Sequence, residues 1–86
     1  MPATQLWSPT FAASLEALPT KARENIQRKI DNIAAQPDKF PHKQVAGGPA
    51  CKLSVGKFRV LYEFDPASGK LQVHYVGRRR DIYKEE

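Results

Sequence analysis

Cysteine is almost missing from this chain, and that scarcity sets the first limits. Cys51 is the only one among 86 residues, so no internal disulfide can form and a reducing compartment, the cytoplasm, is expected. The two histidines, His42 and His74, together with one cysteine offer no metal-ligand spacing, and neither a metal nor another cofactor is expected. No apolar run approaches the roughly 20 residues that span a bilayer. The N-terminus lacks the basic-then-apolar order of a signal peptide. No P-loop, Rossmann fingerprint, Ser-His-Asp pattern or carboxylate pair is visible, which disfavours a nucleotide-cofactor enzyme or a glycosidase. Repeats and low-complexity segments are absent too.

What is present is the composition of one folded domain spanning residues 1–86. The chain is 41% apolar and 27% charged, which argues against disorder. Its net charge of +5, from fourteen Lys/Arg against nine Asp/Glu, favours an anionic partner such as nucleic acid, an acidic protein or an anionic surface. The excess is spread over both halves of the chain, so a basic patch has to be assembled by folding.

The hydrophobic spacing reads as a short strand, two helices and three strands. TQLW (Thr4 to Trp7) is the strand. Ser8-Pro9 is an N-cap followed by proline in the first turn, where a missing N–H costs nothing. Phe11, Leu15 and Leu18 then mark one face of a short helix. Pro19 breaks it and Thr20 is expected to cap the next, in which Ala22, Ile26, Ile30 and Ile33 form a single buried stripe. Pro37 to Pro49 is loop-like. Beyond it the period becomes two. Leu53 and Val55 alternate with Lys52 and Ser54; Phe58, Val60, Tyr62 and Phe64 alternate with Arg59, Leu61 and Glu63. After the turn DPASGK, Leu71, Val73 and Tyr75 alternate with Gln72, His74 and Val76. The expected fold class is α+β, a helical hairpin packed on one face of a small antiparallel sheet. Alternation sends Lys52, Ser54, Arg59 and Glu63 to the other face, where function is sought.

Several side chains there have two readings each. Lys52 and Arg59 are either solvated surface residues, with Glu63 as a partner, or the two cations of an anion site; unpaired like charges repel across a sheet. Arg78, Arg79 and Arg80 are either a charged end beside Asp81, Glu85 and Glu86 or planar forks for phosphate. Tyr83 packs on the sheet, stacks a base, or exchanges a proton near a phosphate. His74 shares the open face with Arg59, as a structural strand histidine or as a base. Cys51 has no histidine near it in sequence and is not expected to be a nucleophile.

In their order and spacing these elements resemble the RelE/ParE superfamily of bacterial and archaeal toxins. The resemblance runs through LPTKARENIQRKIDNIAAQP, VAGG, CKLSVGKFRVLYEF and LQVHYVGRRRDIY. Its most specific parts are SVGKFRVLY and the closing V-G-x-R…Y segment. It implies a microbial RNase-like RelE fold and a toxin of a type II toxin–antitoxin system with a cognate antitoxin. It further implies cleavage of messenger RNA in the ribosomal A site, in which the 2′-hydroxyl attacks the adjacent phosphate. The catalytic positions fall by motif on Lys52, Arg59, Arg79 and Tyr83, with Arg78, Arg80, Lys57 and His74 as RNA contacts. Operator DNA would be met only through the antitoxin complex. The chain departs from the pattern at Ser54, where a second basic residue is common. Two other outcomes stay open: a ParE-like inhibitor of DNA gyrase, and an attenuated or non-toxic module that holds antitoxin or RNA.

Overall fold

A computed structural model of the chain describes residues 2–45 and 48–78. In chain order it contains β1 (Thr4–Trp7), α1 (Pro9–Glu16), α2 (Thr20–Ala35), a 3-10 turn (Pro37–Lys39), β2 (Cys51–Val55), β3 (Phe58–Asp65) and β4 (Lys70–Arg78). The four strands form one sheet in the order β1-β4-β3-β2. β2, β3 and β4 make the expected antiparallel meander. β1 adds to it in parallel, with Thr4 opposite Lys70 and Trp7 opposite Val73, so the sheet is mixed.

The start of α1 follows its sequence signal. Ser8 is extended at φ −70° and ψ 156°, its Oγ accepts from the Phe11 N–H at 3.0 Å, and Pro9 opens the first turn. The start of α2 does not. Pro19, extended at ψ 149°, occupies the cap position and has no side-chain acceptor, so Thr20 becomes the first helical residue instead of the cap. The helices bury Phe11 and Leu15 from α1 and Ile26, Ile30 and Ile33 from α2. These pack against Val55, Val60, Tyr62, Leu71, Val73 and Val76 of the sheet. An eight-residue helix such as α1 is not stable by itself in water, so this burial is what holds it.

One strand differs from its expected alternation. Leu61 lies opposite Tyr75, but Tyr62 lies opposite Val73, which leaves His74 as an extra residue on β4. This β-bulge reverses the facing of everything after it. Val76 therefore enters the core at 2% exposure, and Tyr75 joins the open face, the reverse of strict alternation. Ser8 stabilises the bulge: its N–H donates to the Val73 carbonyl at 2.9 Å and its hydroxyl to the His74 carbonyl at 2.7 Å.

The connections are short. β2 and β3 are joined by Gly56-Lys57, with Gly56 at φ +58° and Lys57 on the ordinary side, the pattern of a II′ hairpin turn that needs glycine first. Between β3 and β4, Asp65 accepts from the Ala67 N–H at 3.0 Å and the Ser68 hydroxyl at 2.9 Å. Those bonds hold its carboxyl below the ordinary range.

Candidate functional site

The hairpin register builds the site. Ser54 pairs with Arg59, and Arg59 with Gly77; one step along, Lys52 pairs with Leu61, and Leu61 with Tyr75. Residues opposite one another in antiparallel strands project to one face, so all six share the face turned away from the helical core. Lys52 and Arg59 are diagonal neighbours on it. Arg59 is only 7% exposed, although it carries a charge. Its two cross-strand neighbours, Ser54 and Gly77, are small. Gly77 has a further role. A Cβ there would lie 2.7 Å from both Cε2 and the hydroxyl oxygen of Tyr75, so only glycine lets that ring rest where it does.

Beside the outer strand β2 is a cavity of about 440 Å³. Its lining includes Lys52, Ser54, Arg59 and Tyr62 from the hairpin and His42 and Lys43 from the segment that forms the opposite wall. Among the described residues no aspartate or glutamate lines it. The wall is fixed to the core by His42, a non-glycine residue at φ +47°. One ring nitrogen, Nε2, lies 2.7 Å from the Pro37 carbonyl, which can only accept, so Nε2 carries the proton. Nδ1 then accepts from the Tyr62 hydroxyl at 2.9 Å. The ring also stacks on Phe64 with centroids 5.2 Å apart. Tyr62 is pushed up to about 12, by burial first and then by Cys51. The Cys51 thiol is raised likewise, by burial and then by Glu63, which with its burial makes it a poor nucleophile.

The structure thus brings Lys52 and Arg59 onto one cavity and leaves other candidates elsewhere. Lys57 is exposed at the hairpin tip, and Arg78 is exposed at the end of β4, opposite Phe58. Neither they nor His74 line the cavity. His74 Nε2 is 2.5 Å from a carboxylate oxygen of Glu63, with both side chains 38% exposed. Glu63 is therefore a partner of His74. Arg79, Arg80 and Tyr83 lie outside the described residues. Sequence reasoning overlooked His42 and Lys43. The signal for them was the symmetry of the loop, a Gly-Gly-Pro cluster flanked by segments able to pair.

Comparison with known proteins gives a consistent picture. A family model described as the ParE toxin of type II toxin-antitoxin system, parDE, matches residues 6–83. No curated protein matches the chain in sequence. Among solved structures, a mutant of the E. coli toxin RelE in the free state is similar at a TM-score of 0.80 and 17% identity, over 99% of this chain and 94% of that one. The RelB-RelE antitoxin-toxin complex from Methanococcus jannaschii contains a chain similar at a TM-score of 0.70 and 22% identity, over 93% and 96%. A chain of the chromosomal ParDE system from P. aeruginosa is similar at 0.73 and 13%, over 88% and 95%. At such identities the likeness is one of fold, and the fold is the α+β arrangement expected from the sequence.

Proposed function

The chain belongs to the ParE toxin family of type II toxin–antitoxin systems, and we propose that within it this chain is a cytoplasmic toxin that cleaves messenger RNA on the ribosome. The observation that carries this reading is the cavity that Lys52 and Arg59 both line. A site of that charge suits a phosphodiester.

The reaction follows from elementary chemistry. The ribose 2′-hydroxyl oxygen attacks the adjacent phosphorus and gives up its proton, the bond to the 5′-oxygen breaks and that oxygen takes up a proton, and the products are a 2′,3′-cyclic phosphate and a 5′-hydroxyl. Negative charge gathers on the phosphoryl oxygens in the transition state. Lys52 and Arg59 stabilise it as cations already in place, and the burial of Arg59 strengthens its field. Arg59 cannot act as the base, because guanidinium does not lose its proton in proteins. In this proposal Arg79 steadies the leaving oxygen and Tyr83 orients the nucleotide. An antitoxin with an acidic segment neutralises the basic face, docking a helix or a strand on this small protein.

The test is a translation reaction with messenger ends mapped by primer extension. Wild-type protein should give codon-phased cuts, and Lys52→Ala or Arg79→Ala should slow them by ~10²–10³. Absence of phased cleavage, or cleavage indifferent to both substitutions, overturns the reading. Inhibition of DNA gyrase is the second reading, favoured by the family match itself and by the fold shared with a ParDE system. Supercoiling by purified gyrase that proceeds unchanged with the protein present removes it.

A further inference from the structure

Resting on the nuclease reading, we propose that Lys43 is a third phosphate-binding residue of the cleft, supplying the charge that Ser54 does not. Gln44 bridges Cys51 in antiparallel fashion, which sets Lys43 directly opposite Lys52. The Lys43 carbonyl accepts from the Lys52 N–H at 2.9 Å. Residues so paired project to one side, and both side chains line the cavity that Arg59 also lines. Three cations thus converge on about 440 Å³, a volume suited to a small bound group.

Among the described residues no carboxylate pairs with Lys43 or Lys52; the ion pair there is His74 with Glu63. Two like charges directly across a ladder repel, and an anion between them removes the penalty. The position of Lys43 is set by the core. Its neighbour His42 is held by Pro37, Tyr62 and Phe64, and the His42 carbonyl accepts from the Cys51 thiol at 3.6 Å. These contacts fix the backbone from which the exposed Lys43 side chain reaches the cleft. The ligand class is the phosphate backbone of single-stranded RNA. An ammonium only donates, so Lys43 holds phosphoryl oxygens.

The probe is a short fluorescein-labelled single-stranded RNA carrying 2′-O-methyl ribose at every position, so that no 2′-hydroxyl is available and it cannot be cut. Its anisotropy with the full chain is followed from low to moderate salt. Lys43→Ala should weaken binding several-fold and reduce the slope of log K against log salt by about 0.7, as loss of one phosphate contact requires. Lys52→Ala should do the same, Lys43→Arg should bind as wild type, and Lys29→Ala, on the exposed face of α2, should change neither quantity. A wild-type slope in Lys43→Ala alongside a reduced one in Lys52→Ala overturns the assignment and leaves the nuclease reading intact. Equal losses in Lys43→Ala and Lys29→Ala reduce the effect to general attraction and also overturn it. Failure of the nuclease reading shows separately, as absent phased cleavage by wild type in the translation reaction. Far-UV circular dichroism confirms that each variant is folded.

Discussion

Replacing Ser8 with aspartate separates two tasks performed by one hydroxyl. As an acceptor, Ser8 Oγ caps α1 through the Phe11 N–H; as a donor, it satisfies the His74 carbonyl at the bulge. Aspartate caps helices as well as serine does, and its charge at a helix N-terminus adds about 0.3–1 kcal/mol. It cannot donate, however, and it sets a carboxylate against the carbonyl oxygen. Leaving a part-buried acceptor unmet costs about 1–3 kcal/mol. The net expectation is a loss of roughly 1–2 kcal/mol, which in a domain of this size lowers Tm by roughly 4–16 °C. Ser8→Ala loses both bonds and should be worse, by about 2–3 kcal/mol in all. Ser8→Thr keeps both and should match wild type within about 0.5 kcal/mol. The assay is urea unfolding followed by circular dichroism at neutral pH. Capping alone would make Ser8→Asp as stable as wild type, and that result would refute the role given to the bulge carbonyl.

Other outcomes follow from the site and its supports. Tyr62 binds its proton more tightly in the folded state, where its pKa is about 12, than in the unfolded chain at ~10. Its contribution is therefore fully present below the unfolded value and is lost as pH rises from ~10 toward 12. In Tyr62→Phe that alkaline decline should be shallower, while neutral-pH stability drops by about 1 kcal/mol as His42 Nδ1 loses its donor; an unchanged alkaline slope would count against the assignment. The single thiol, buried at Cys51, should react slowly with Ellman's reagent in the native protein and fast in urea, and immediate full reaction in buffer would contradict its placement. Gly77→Ala should displace the Tyr75 ring and change its near-ultraviolet dichroism, with stability altered by no more than about 1 kcal/mol because that ring is half-exposed. A spectrum identical to wild type would mean that the ring does not rest on Gly77.

Much of this arrangement can be read from residue order, and the exceptions share a cause. The stripes Phe11–Leu15 and Ile26–Ile30–Ile33 mark the buried helix faces directly, because period and burial coincide. The pairing of Lys52 and Arg59 on one face follows from a two-residue connection, which fixes register. The bulge at His74 left only a faint trace. Leu71, Val73 and Val76 are spaced two and then three apart, and Tyr75 is apolar enough to conceal the break. The parallel partner of β1 is set by where two helices return the chain, which no local pattern encodes. Lys43 was hidden for a related reason: a single bridge, Gln44 to Cys51, makes it a neighbour of Lys52, and one bridge has no periodicity. The cap of α2 failed at the scale of one residue, since proline took the extended position that Thr20 would have needed.

The parallel pairing of the first strand with the last also constrains the order in which the molecule assembles. Thr4 meets Lys70, so β1 has no partner until β4 has been synthesised. The β2–β3 hairpin closes a loop of two residues, whereas the β1–β4 ladder closes one that spans most of the protein. Local pairing is therefore expected to lead and β1 to dock late, with conservative substitutions at the buried Val60 slowing folding in stopped-flow chevrons. Until that docking, the Val73 and His74 carbonyls lack their Ser8 donors and α1 has no anchored start. A nascent chain would thus carry its basic hairpin before it carries a closed sheet, and maturation of the fold would wait on its two ends meeting.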